Sequence, residues 1–194
     1  MRIKQIYTYE YVGGAHPEFT RNIGRYKFFD NSYVGGEDYA LGGYLPHFVY
    51  EDGDEYNKRI ASTPLDNHCR NIIQIFTSFL FSKPPRRDYT GIDIDPSLDL
   101  FLEDADLEQR NFDSFMRDAS VLAAIHGHSV ILVDRPSIDV ETKADELTSG
   151  IRPYVSLIGA MNIIDWEFKR RDNGKFELAM LKIAEGYTEG SRTF

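Results

Sequence analysis

Apolar positions along this chain follow two periods, one after the other. Between Thr63 and Pro84, residues Cys69, Ile72, Ile73, Phe76, Phe79 and Leu80 return at steps of three and four, the spacing that lines one face of an α-helix. Thr63 can cap that helix, Pro64 suits its first position and Pro84-Pro85 ends it. The pattern predicts a core helix over Asn67–Lys83, the most buried in the chain, with its aromatic rings used for packing. A second helical stripe, Phe112, Phe115, Ala119, Leu122, Ala123 and His126, predicts a helix over roughly Asn111–His126. The period then changes. Ser129–Asp134 and Tyr154–Ile158 are short runs rich in β-branched residues, and Ile163–Arg170 and Phe176–Ala184 flank Asp172-Asn173-Gly174. Asn-Gly between two alternating runs predicts a hairpin, with positive φ at both central turn positions.

Ahead of these elements, Met1–Asp54 shows no sustained period. Glycine pairs at Gly13-Gly14, Gly35-Gly36 and Gly42-Gly43 break up aromatic clusters such as Tyr26, Phe28 and Phe29. Glu51–Ile60 reads as a short exposed helix, and Ser137–Gly150 as an exposed polar loop. The expected fold class is α+β: helices followed by a mostly antiparallel sheet with a β-hairpin near the C-terminus. The expected organisation is an irregular aromatic and glycine-rich segment over 1–62 and an α+β domain over 63–194.

Composition narrows the function classes. The chain has 194 residues, 42% of them hydrophobic, enough for a real core. Its 31 acidic against 22 basic residues give a net charge of -9, which argues against tight sequence-independent binding of nucleic acid but not against its brief passage. Cys69 is the one cysteine, so neither an internal disulfide nor a cysteine-rich zinc site can form. No segment approaches the roughly 20 apolar residues that span a bilayer, so no membrane partner is expected. The 12 Tyr and 13 Phe suit either a core or a buried assembly interface.

Two stretches invite a chemical reading. In Ala124-Ile125-His126-Gly127-His128-Ser129-Val130-Ile131-Leu132-Val133-Asp134, the Gly-His-Ser sequence resembles a nucleophile elbow, but it lacks the glycine after the serine and places the helix before the strand. His126 and His128 could share a metal on one strand face, yet His126 is expected to close a helix and no Cys, Asp or Glu follows at ligand spacing. The simpler reading puts His126 in the last helical turn as a cation against the dipole, Gly127 as a left-handed C-cap, and Ser129–Asp134 as a buried strand. The second stretch carries Asp93, Asp95, Asp99 and Asp104 at spacings reminiscent of a calcium loop, but Leu98 stands where the turn needs glycine. Asp95-Pro96 reads instead as a cap and first helical residue. No glycine-rich phosphate loop is present. Catalytic, cofactor-binding and metal residues are therefore expected to be none, and no enzyme activity is expected.

The order of segments carries a resemblance. His16-Pro17-Glu18-Phe19, Tyr44-Leu45-Pro46, Asp54-Glu55-Tyr56-Asn57-Lys58-Arg59, the Asn67–Lys83 helix with Phe81-Ser82-Lys83-Pro84-Pro85, Ala124–Pro136, Arg152-Pro153-Tyr154 and Asn162-Ile163-Ile164-Asp165-Trp166 follow one another over His16–Ala184. This series resembles the N-terminal, wing-containing part of portal proteins of tailed bacteriophages. The resemblance implies a structural subunit of a homo-oligomeric, usually dodecameric ring at the capsid vertex of a virion, assembled in the host cytoplasm. Such a ring would contact the major capsid protein, dock the terminase and join the tail connector or adaptor. Double-stranded DNA would pass through it during packaging and ejection, without sequence-specific binding. Long tunnel helices and a clip are not recognisable in the chain, so the wing-like part is expected to continue into a stem beyond it. Another phage connector, adaptor or virion protein is the alternative within assembly; a hydrolase or calcium-binding module is the alternative outside it.

Overall fold

The computed structural model describes residues 14–63, 66–90, 96–136 and 151–184, together with the backbone of Thr188–Glu189 and Arg192–Thr193. Among these residues the order is α1 (Pro17–Val34), α2 (Gly36–Ala40), α3 (Gly53–Ser62), α4 (His68–Leu80), α5 (Pro96–Glu103), α6 (Phe112–His126), β1 (Ser129–Asp134), β2 (Tyr154–Gly159), a 3-10 turn at Ala160–Asn162, β3 (Ile163–Arg170), β4 (Phe176–Ile183), β5 (Thr188–Glu189) and β6 (Arg192–Thr193). The fold is α+β. Its strands pair antiparallel and two by two, β1 with β2, β3 with β4 and β5 with β6. The chain divides into two compact units, Arg25–Ala160 and a second made of Met1–Gly24 with Met161–Phe194.

The Arg25–Ala160 unit is centred on α6. Asn111 caps that helix by accepting from the Ser114 amide at 2.8 Å, and Phe115 and Ala119 on its apolar stripe are buried. Phe115 packs with Ala105 and Val155, ringed by Phe101, Phe112, Met116, Ile131 and Leu157, which ties α5, α6 and the β1–β2 pair into one core. Arg152, itself buried, donates to the Asp104 carboxylate at 2.6 Å and to the Asp104 carbonyl, and the Val155 amide donates to the Ala105 carbonyl at 2.9 Å. A charge so enclosed is stable only with a partner of this kind.

In the second unit the His16 amide donates to the Ile164 carbonyl at 3.0 Å, and the His16 ring stacks on Trp166 at 4.0 Å. Phe19, Ile163 and Ile164 are its buried apolar residues. The hairpin β3–β4 turns through Asp172-Asn173-Gly174, closed by Gly174 amide to Arg171 carbonyl at 2.8 Å and Arg171 amide to Lys175 carbonyl at 2.9 Å. Only Gly174 has positive φ, at 80°, so the expected two-residue turn with two left-handed positions gives way to a three-residue loop. The Asn173 side chain accounts for the difference by accepting from the Lys175 amide at 3.0 Å.

Several expectations are met and several are overturned. The short helix expected over Glu51–Ile60 is α3, and the strand runs and the helix ending at His126 lie where the periodicity puts them. The segment read as irregular holds the 18-residue helix α1, which Pro17 opens and Gly35 ends. Thr63 does not cap α4: its hydroxyl and amide both donate to the Arg59 carbonyl and close α3, while Asn67 caps α4 by accepting from the Arg70 amide at 3.1 Å. Pro64, Leu65, Asp93, Asp95 and the loop expected over Ser137–Gly150 lie outside the described residues. The largest correction concerns α4. Expected to be the most buried helix, it leaves Phe76 71% and Phe79 77% exposed and buries only Thr77.

Candidate functional site

Helix α4 is inserted with its polar side inward. Asn67 and Arg70 both donate to the Tyr33 carbonyl, at 2.8 and 3.0 Å, and Arg70 reaches the Val34 carbonyl at 2.8 Å, so the last turn of α1 is capped by side chains from the first turn of α4. About two turns further along the same side, Thr77 is 2% exposed and its hydroxyl donates to the Ile73 carbonyl at 2.7 Å. Asn67, Arg70 and Thr77 share one helix side by their spacing. Ile72, Ile75, Phe76, Phe79 and Leu80 therefore face away from it, all more than half exposed. From Asn71 to Ser82 no residue is charged. Each large apolar side chain kept in water forgoes about 1.5–3 kcal/mol of burial, which makes this continuous face the largest departure from inward packing on the helix.

A second exposed apolar surface lies on the hairpin. Beyond Trp166 and Leu181 both strands are exposed, and the register Phe168↔Leu178 and Arg170↔Phe176 puts these four side chains on one face. Phe168 is 58% and Phe176 71% exposed. The Arg170 guanidinium lies 5.9 Å from the Phe176 ring centre and donates to the Gly174 carbonyl at 3.2 Å. Four of the nine residues from Phe168 to Phe176 are basic and one is acidic. A two-stranded ribbon with both faces in water is marginal on its own.

The residues that first suggested chemistry are placed otherwise. Gly127 has φ 88° and its amide donates to the Ala123 carbonyl, which makes it the left-handed cap the sequence suggests. His126 is 6% exposed, neither ring nitrogen has a hydrogen-bond partner, and Nε2 stands 3.8 Å from Asp30 Oδ1. Burial pushes its imidazole below the ordinary value, against the pull of the Asp30 carboxylate, with nearby His128 adding a smaller push downward. His126 is accordingly a neutral packed ring, set edge-on to Tyr26 at 6.0 Å, and does not act as the dipole-complementing cation expected of it.

His128 is exposed. The Ser129 hydroxyl donates to the Ala119 carbonyl at 3.2 Å, and Asp134 accepts from the Tyr154 hydroxyl at 3.1 Å, so the sequence neighbours His126, Ser129 and Asp134 each have a separate structural setting. Ser129–Asp134 is half-buried, with Val133 exposed at its outer end; among the described residues its ladder has one neighbour, β2. Asp99 lies in α5, and Asp104 is engaged by Arg152 and by the Gln109 amide at 2.9 Å. Among the described residues no three His, Cys, Asp or Glu side chains converge on a point that could hold a metal ion.

Periodicity located the α4 stripe but assigned it inward; the signal that could have reversed it is the polar series Asn67, Arg70 and Thr77 on the opposite side. The hairpin face was missed because alternation alone does not say whether a face is covered. Among the described residues no helix is long and apolar enough to cross a membrane. No protein-family model matches this sequence, and no curated protein matches it.

Proposed function

We propose that this chain is a structural, non-catalytic subunit of a ring at the capsid vertex of a tailed bacteriophage, a portal protein through which DNA is packaged and ejected. The observation that carries the assembly reading is the outward apolar face of α4 around Phe76 and Phe79. A monomer gains nothing from it, whereas a subunit that meets neighbours recovers the burial. The choice of a portal among assemblies rests on the order of segments from His16-Pro17 to Asp165-Trp166. Net charge of -9 fits a conduit that lets duplex DNA slide. Capsid protein, terminase and tail connector would be its other partners. A different connector or adaptor ring uses the same apolar faces but has no reason to bind the terminase.

Light scattering over a concentration series, with electron microscopy of the same sample, tests the reading. Closed rings with a central opening, and capture of a terminase large subunit by those rings, are expected. A monodisperse monomer at every concentration overturns the assembly reading, and rings that ignore terminase move the chain to the connector class.

A further inference from the structure

Among the described residues, His126 alone leaves buried side-chain polar atoms without a hydrogen-bond partner, Nδ1 and Nε2 both. It stands in the last turn of α6, closed by the Gly127 amide to the Ala123 carbonyl at 2.8 Å, and its ring faces α1 within the Arg25–Ala160 unit. From α1, Tyr26 lies edge-on at 6.0 Å and Asp30 Oδ1 is 3.8 Å from Nε2. His128, exposed just past the cap, is edge-on to the same Tyr26 ring at 5.8 Å, and Asp38 of α2 acts on Asp30 in turn. The other charged groups nearby are engaged elsewhere. β2 carries none, Asp134 at the far end of β1 accepts from Tyr154, and Arg70 of α4 is occupied with the Tyr33 and Val34 carbonyls.

A neutral ring fits this setting and a charged one does not. Protonation gives the imidazolium two N–H donors, but Asp30 stands beyond hydrogen-bond reach of Nε2 and Nδ1 has no acceptor, so the buried charge would be left half-paired. Burial outweighs the attraction of the Asp30 carboxylate, and His128 pushes the same way as burial. Asp30 does not rescue the pair in acid, because burial favours its own neutral form and the attraction fades as pH falls.

We infer that the last turn of α6 and the facing turns of α1, Tyr26 to Asp30, form an acid-released latch, closed on a neutral His126 and opened when that ring takes up a proton. The exposed ring binds a proton more tightly than the enclosed one, so the latch is fully closed above about pH 6.5 and yields as pH drops below it. At pH 5.5 an exposed imidazole is about ten times more often charged than neutral, so opening increases by about tenfold at most. The opening is local. α1 stays tied to α4 through Asn67 and Arg70, and the core around Phe115, Ala105 and Val155 contains no titrating side chain. Mild acid therefore loosens the α1–α6 contact without unfolding the unit, whether or not the chain assembles into rings.

Native-state hydrogen exchange of the full chain at pH 7.5 and pH 5.5, corrected for the intrinsic exchange rate at each pH, tests the latch. Peptides covering Tyr26–Asp30 and Ala123–Gly127 should lose protection by a factor of several, up to about tenfold, at the lower pH. Those covering Phe115 and Val155 should keep theirs. Protection unchanged at the α1–α6 contact overturns the proposal, and so does an equal loss across all peptides, which is global destabilisation and not a latch.

Variants and a titration assign the proton. The pH difference should vanish in His126→Phe and in His126→Gln, the second guarding against misfit of the larger ring; a difference that persists in both sinks the assignment. His128→Gln should keep it, and its loss there would move the trigger to the exposed ring and overturn the latch. In the wild-type chain, nuclear magnetic resonance of the labelled His126 ring should show a midpoint below 6.5. A midpoint at or above that value would mean that Asp30 captures the imidazolium and that acid tightens the contact, the opposite of what is proposed.

Discussion

His126 and Gly127 adjoin in the chain and respond to opposite constraints. Gly127 holds φ 88° with open space where a Cβ would lie, so the objection to a side chain there is backbone strain alone. Gly127→Val is expected to cost about 1–2 kcal/mol, the penalty of a left-handed L-residue, read as a shift in denaturant midpoint. His126 leaves two buried nitrogens unbonded, a condition that costs about 1–3 kcal/mol for such a group. Since burial lowers its folded pKa below 6.5, the unfolded chain binds a proton that the folded chain refuses. Stability from this residue is therefore present above about pH 6.5 and falls as pH drops below it. Asp30 acts in the opposite sense: burial raises its pKa, so its contribution improves as pH falls toward and below its folded value. His126→Phe should narrow the gap between melting temperatures at pH 7.5 and pH 5.5. An unchanged gap would assign the acid sensitivity to other groups.

At the scale of an element, α4 is held by hydrogen bonds from its polar side, so its rings contribute little to the folded unit. Phe76→Ala should change stability by no more than about 0.5 kcal/mol, as surface substitutions do, against the 3–5 kcal/mol expected of an enclosed ring. Arg70→Ala should cost more, about 1–2 kcal/mol, because it strips the Tyr33 and Val34 carbonyls of a charged donor. Urea titrations of the two variants decide between the outward and inward orientations of this helix. The reverse order of costs would restore the inward reading.

For the whole molecule the balance of burial is the telling quantity. Among the described residues nineteen large apolar side chains are exposed, whereas ten apolar residues, three of them alanines, form the buried set. The proposed ring reading accounts for that ratio, because a ring subunit would gain further burial from its neighbours. Charge points the same way, because an acidic chain releases few phosphate counterions. The isolated protein should bind duplex DNA no more tightly than about 10 μM near physiological salt, measured by fluorescence anisotropy. Sub-micromolar binding that weakens steeply with salt would argue against a conduit.

Sequence alone determined the elements whose signals are local. The three- and four-residue steps of α6, the asparagine that caps it, the glycine that ends it and the alternating runs around Asn173-Gly174 are each satisfied by neighbours a few residues away, so they could be read in one dimension. What tertiary structure decided was the side each element turns inward. Periodicity states which residues share a face of α4, but the choice between faces was made by carbonyls of Tyr33 and Val34, 34 to 37 residues earlier, that needed donors from Asn67 and Arg70. Asp104 became an anchor because Arg152 arrives from 48 residues away, and His126 became neutral because the fold encloses it near Asp30. In each case the deciding term is the desolvation of a polar group, whose sign depends on whether a partner distant in sequence is brought within reach.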